Sequence, residues 1–185
     1  MNLNDHNPLY ECWIFCKVLH VLCLTYDLRF IQSRSIRGIR KGIANFISND
    51  KSILVTYQPV YITDWEDSSL SESSGLRFLE NIPDISIDFL KKGTSIILDA
   101  KNSYLKSKGR PYRHQMTNYM TTSNSKYGIL VHSDSESPVL FNSISRKSTN
   151  QQIIWTSVSP LHEDTTNSNN LNKIMNLVSL CLNAS

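Results

Sequence analysis

A chain of 185 residues has the length of one domain, large enough for a real core and too short for two comfortable ones. Hydrophobic content of 40% with only six glycines excludes a disordered or fibrous chain. A formal charge of +3 allows a nucleic-acid partner without requiring one.

Asn7-Pro8 predicts a helix start, with Asn as cap and Pro at the first helical position, and the helix should run to about Leu24. Its apolar run from Trp13 to Leu24 is broken by Lys17 and His20, which makes it too short and too polar to cross a membrane. The residues before it lack the basic flank of a signal peptide. Both features point to a cytoplasmic protein with no membrane partner. Of the four cysteines, Cys12, Cys16 and Cys23 fall in this helix and Cys181 in the last one. Cys12, Cys16 and His20 recur every four residues, but the outer pair lies about 12 Å apart along a helix axis. One zinc ion needs all its ligands within about 2.3 Å, so these cysteines are expected to be buried, reduced thiols.

Alternating segments at 28–33, 42–48 and 52–62 read as antiparallel strands, the last two joined by a turn at Asn49-Asp50. Residues 63–75, rich in Ser, Asp and Glu, read as an exposed loop. A hairpin follows, with strands at 83–88 and 96–101 around the turn Lys91-Lys92-Gly93. Residues 106–110 read as a basic, flexible connector, and Pro111 opens a second helix to about Thr121. Strands at 127–132, 139–143 and 152–157 come next. A Ser/Thr/Asn-rich loop then leads to an amphipathic helix from about Leu171 to Leu182. The order is that of a mixed α/β fold, one domain over 1–185.

Within the hairpin, Asp84 begins one strand and Asp99-Ala100-Lys101 ends the other, so the carboxylates can meet at one end of the sheet. Such hard oxygen donors suit Mg2+ or Mn2+. Asp99 and Lys101 are two apart on a strand and face the same side, which sets an ammonium beside the carboxylates. A solvent-facing Asp/Lys pair is the plainer alternative. On the first helix, Glu11 shares a face with Phe15, Val18, Leu19 and Leu22, a costly place for a carboxylate unless it is paired or metal-bound. It could instead complement the helix dipole or turn to water. Gln115 and Tyr119 are stacked on one face of the second helix, as a supporting pair for a lysine or phosphate or as an ordinary half-buried face. Arg110, Arg113 and the lysines at 106 and 108 could contact phosphates or simply be solvated. No aromatic-rich platform for single strands stands out.

Pro83-Asp84, Asp99-Ala100-Lys101 and Gln115-Met116-Thr117-Asn118-Tyr119 together resemble the PD-(D/E)XK nuclease superfamily, in its subset with a Gln-x-x-x-Tyr helix. Leu9-Tyr10-Glu11-Cys12-Trp13 resembles the first-helix motif of its McrC-type members, the cleavage subunits of modification-dependent restriction systems. The resemblance implies a restriction-endonuclease-like core, a central mixed sheet flanked by helices. It also implies a Mg2+- or Mn2+-dependent DNA endonuclease acting in restriction or defence against foreign DNA. Glu11, Asp84 and Asp99 would be metal-site acids and Ala100 would offer its carbonyl to the metal. Lys101 would be the catalytic lysine, supported by Gln115 and Tyr119. An NTPase subunit and a dimeric state are compatible with it. The alternative is a non-catalytic nuclease-fold subunit that binds DNA or protein.

Overall fold

The computed structural model describes residues 8–31, 44–59, 83–102, 105–133, 142–146, 151–161 and 164–183. Helix α1 spans Pro8–Tyr26 and is followed by strands β1 (Leu28–Ile31), β2 (Ala44–Ser48), β3 (Ile53–Tyr57), β4 (Ile85–Phe89) and β5 (Thr94–Lys101). Helix α2 (Leu105–Ser123), strands β6 (Ser125–His132), β7 (Asn142–Arg146) and β8 (Gln151–Ser157), and helix α3 (Asp164–Asn183) complete the order. The eight strands of the described residues form one mixed sheet in the order β1-β2-β3-β4-β5-β6-β8-β7. The chain is therefore of the α/β class.

Strand β5 is the seam of this sheet. From β1 to β5 each strand pairs antiparallel with the next. Beyond it, β6 pairs parallel with β5, and β8 pairs parallel with β6. A parallel neighbour needs a crossover, which α2 supplies between β5 and β6. Side chains alternate along β5. Ile96, Leu98 and Ala100 join the larger core with α1 and α3, and Ile97 joins a second cluster with Tyr112, Met116, Tyr119 and Met120 of α2. Asp99 and Lys101 keep step with Ile97 and so stand on the α2 side. The hairpin turn closes at Gly93, whose φ of 62° suits a residue without a side chain.

Several expectations are corrected. Helix α2 begins at Leu105, so 105–110 is helical rather than a flexible connector and Pro111 lies inside the helix. Good helix formers such as Leu105, Lys106 and Lys108 carry the backbone through, although Pro111 has no N–H to give. Helix α3 begins at Asp164, within the expected polar loop. The buried Asn167 amide bonds both the N–H and the carbonyl of Ser159, and Asn170 donates to the Ser157 carbonyl, so the polar residues anchor the first turns. Cys12, Cys16 and Cys23 are exposed and only Cys181 is buried. The inward stripe of α1 is Tyr10, Glu11, Ile14, Phe15, Val18 and Leu22, which leaves the three helical thiols facing outward. With its full length, α1 is long and apolar enough by composition to span a bilayer, unlike the shorter run considered above. In the fold that stripe packs into the core. The expected loop at 63–75, the Asn7 cap and the start of the strand expected at 139–143 lie outside the described residues.

Candidate active site at the end of strand β5

Asp99 and Lys101 end the central strand on one face, and the Lys101 ammonium lies 2.8 Å from Asp99 Oδ2. The pair is not solvated: the lysine side chain is 14% exposed and the aspartate 2%. The ammonium also stands 5.5 Å from the centre of the Tyr112 ring, so carboxylate and aromatic face hold it together. Burial pulls the Lys101 pKa down, but the charges of Asp99 and Asp84 and the Asp99 hydrogen bond outweigh it and raise the pKa. The group is an ammonium through the neutral range.

Asp84 precedes β4 and is fixed at both backbone and side chain. Its carbonyl accepts the Gln58 N–H at 2.7 Å, and its Oδ2 accepts the Ala100 N–H at 2.6 Å. The carboxylate is thereby fastened to the residue between Asp99 and Lys101. Its pKa lies well above the ordinary aspartate value, raised by burial and then by Asp99 and Glu11, against the smaller opposing effects of Lys101 and the Ala100 N–H. Carboxylates outnumber ammonium here, in a medium that screens them poorly.

Glu11 is 2% exposed, which disposes of the solvated alternative. It arrives on α1, which packs on the face carrying Ala100, whereas Asp99 and Lys101 point to the other face. Its charge acts on Asp84, Tyr57 and Tyr119. Among the described residues, however, no three His, Cys, Asp or Glu side chains are grouped to hold one ion. The structure thus gathers Asp84, Asp99 and Lys101 at the end of β5, with Asp84 bonded to the N–H of the residue between the other two, and adds Glu11 as a nearby charge.

Helix α2 supplies the remaining pair. Gln115 Nε2 donates to the Tyr119 hydroxyl, so the phenol's own proton points elsewhere. Tyr119 is buried, and burial followed by Asp99 and Asp84 pushes its pKa up, which keeps the phenol protonated beside the acids. The helix can approach this closely because Gly128 on β6 has no side chain. A Cβ there would stand 2.5 Å from Met116 Sδ and 2.6 Å from Met120 Sδ.

Three further residues escaped the sequence reading. Tyr57 ends β3 with its ring stacked on Phe15 at 4.8 Å, and its pKa is pushed up to about 12 by burial, then Glu11, Cys12 and Asp84. Tyr112 faces the Lys101 ammonium. His132 is fully buried at the end of β6, paired in register with Lys101. Their positions follow from strand register and helix phase, which the local sequence does not display.

The donor chemistry fits Mg2+ or Mn2+: hard oxygens, an excess of buried negative charge, and a carboxyl that already binds its proton too tightly. Mg2+ commonly takes one or two carboxylates and fills the rest of its shell with water. Asp84 and Asp99 are the residues that would hold it, with the Ala100 carbonyl as a further oxygen donor and Glu11 as a nearby charge. No known protein-family model matches the chain, and no curated protein matches it either.

Proposed function

We propose that the chain is a metal-dependent DNA endonuclease that hydrolyses phosphodiester bonds. The observation that carries this reading is the buried, mutually repelling pair Asp84 and Asp99 with the Lys101 ammonium 2.8 Å from Asp99. Removing such charges from water costs several kcal/mol per ion, an expense that a stable core alone does not require. The likeness of Glu11, Asp84, Asp99-Ala100-Lys101 and Gln115/Tyr119 to the PD-(D/E)XK pattern supports it, and a mixed sheet flanked by helices fits a restriction-endonuclease-like core. Use in restriction or defence within the cytoplasm is the biological setting that likeness suggests, with an NTPase subunit as its candidate partner.

When bound, a divalent cation supplies Lewis-acid polarisation of the phosphate and a lower pKa for an attacking water. Lys101, held protonated by Asp99 and Asp84, offers positive charge to the oxygens that become more negative as the phosphate is attacked. Tyr119, held protonated by burial and the nearby acids and oriented by Gln115, offers a hydrogen bond from the same side. Burial keeps these dipoles fixed before the substrate arrives.

The test is incubation of plasmid and linear DNA with the purified protein in Mg2+, Mn2+ or EDTA. Cleavage is expected with a metal and none in EDTA. Asp99→Ala and Lys101→Ala should each lose about 100-fold or more. A wild type that cuts nothing, or variants that cut as fast as it does, ends the enzymatic reading. A second reading, a nuclease-fold subunit that binds DNA or protein without cutting, is favoured by one observation. Among the described residues no three candidate ligands are grouped around one point. Tight DNA binding without cleavage would select it.

A further inference from the structure

Parallel strands β5, β6 and β8 all end on the same edge of the sheet, and a cleft of about 440 Å³ opens outside their carboxyl ends. In open α/β sheets this is where ligands bind. The floor is built from the residues that follow each strand: Asn102 after β5, Ser133 after β6 and Ser159 after β8. Tyr10 and Trp13 of α1 form one wall and Leu161, 81% exposed, stands at the rim.

We propose that this cleft holds an unpaired nucleobase of the strand presented to the Asp99/Lys101 site. This rests on the nuclease reading and names its substrate class: nucleic acid with unpaired nucleotides, such as single strands, flaps or frayed ends. The aromatic wall is rigid. Tyr10 donates its hydroxyl proton to the Val158 carbonyl at 2.7 Å, and its ring lies 6.1 Å from that of Trp13 with the planes 25° apart. Trp13 is half-buried and so offers indole surface to the cleft. A base has a π-face whatever its identity, and such a wall accepts it without reading sequence. The floor is polar where a base edge would reach. Ser133 donates its hydroxyl proton to Asn102 Oδ1 at 2.6 Å, which fixes that amide with its nitrogen turned away from the serine. The Lys17 ammonium lies over the Trp13 ring, 5.5 Å from its centre, a cation next to the cleft wall although outside its lining.

Position decides the occupant. Asn102 follows Lys101 directly, so the cleft and the Asp99/Lys101 site meet at the carboxyl end of β5 from opposite faces of the sheet. A strand crossing that edge would seat one base in the cleft and lead its backbone over toward the lysine. Paired bases inside a duplex present no open face and must first be extruded at a cost of a few kcal/mol. The aromatic platform that the sequence did not display is thus assembled from two residues of the first helix and the ends of three strands.

The experiment measures fluorescence anisotropy of a short mixed-sequence single-stranded DNA, the same-sequence RNA and the DNA duplex, all in EDTA. Wild type should bind the single strands more tightly than the duplex. Trp13→Leu should weaken single-strand binding about tenfold, the scale of one lost base stack, and leave the duplex unchanged. Asn102→Leu should shift in the same direction and keeps the result decisive if Trp13→Leu fails to fold. Folded variants that bind single strands as wild type does overturn the proposal. Cleavage is read on the same samples with Mn2+. Cutting without a Trp13 effect removes the base cleft alone, whereas a Trp13 effect without cutting removes the nuclease and leaves the cleft. Whether DNA or RNA shows the Trp13 effect identifies the sugar that the strand carries.

Discussion

The two ends of strand β5 are both polar and both buried, and they solve that problem in opposite ways. At its start, Ser95 shares a hydrogen bond of 2.6 Å with Ser125, which in turn contacts the hydroxyl of Ser123. Ser123 then donates to the Tyr119 carbonyl at 2.7 Å and fastens the end of α2 to the sheet. Neutral hydroxyls that both give and accept satisfy one another. At the other end, carboxylates that only accept are set together, and one lysine cannot compensate them all. The first end is finished as folded. The second is left with a charge that suits a cation.

The largest break in this comparison is chemical. Asp99→Ala should abolish metal-dependent cleavage while Ser95→Ala leaves it unchanged, as measured by plasmid nicking under identical conditions. A thermodynamic contrast comes next. Because the folded-state pKa of Asp84 is raised, its protonated form stabilises the native state. That contribution is complete below the ordinary aspartate range, near pH 4, and is lost as pH rises through the folded-state pKa. In EDTA, wild-type stability should therefore fall across that window and Asp84→Asn should flatten the fall. The variant should be more stable at pH 8 by about 1 kcal/mol or more in urea titrations, since a tenfold change in proton affinity is worth about 1.4 kcal/mol.

Two smaller effects sharpen the picture. Gly128→Ala places a methyl against Met116 and Met120. Overpacking of this kind costs about 1–3 kcal/mol. Methionine can bend away, but α2 carries Gln115 and Tyr119, so cleavage should drop along with the melting temperature. Ser95→Ala should cost about 1 kcal/mol, the scale of one hydrogen bond, with no change in cleavage. An equal loss of activity from both serine and glycine variants would mean that the two ends are not separable.

Much of this was written locally. Asp99 and Lys101 stand out because an apolar run ends in them, and Glu11 because it interrupts an apolar stripe. Gln115 and Tyr119 meet because helical spacing brings them together. Tyr57 and His132 could not be found that way, since each depends on register between segments distant in sequence. The early start of α3 was hidden because Asn167 and Asn170 favour loops on their own, and here they bond the backbone of Ser159 and Ser157 at the end of β8. The exposed cysteines show helix phase overruling a residue type's usual preference for the interior.

The hydroxyl of Tyr10 bonded to the Val158 carbonyl spans 148 positions of the chain. Contacts of such separation come late in folding, after the loop between them has been closed. Glu11 is the next residue along, so the bond that fastens Tyr10 also holds the turn of α1 that carries the acid. A nascent chain that has not yet made β8 lacks the carbonyl that fastens Tyr10 and the part of the cleft floor that follows that strand. Under the proposed function, the base cleft is complete only after β8 has joined the sheet.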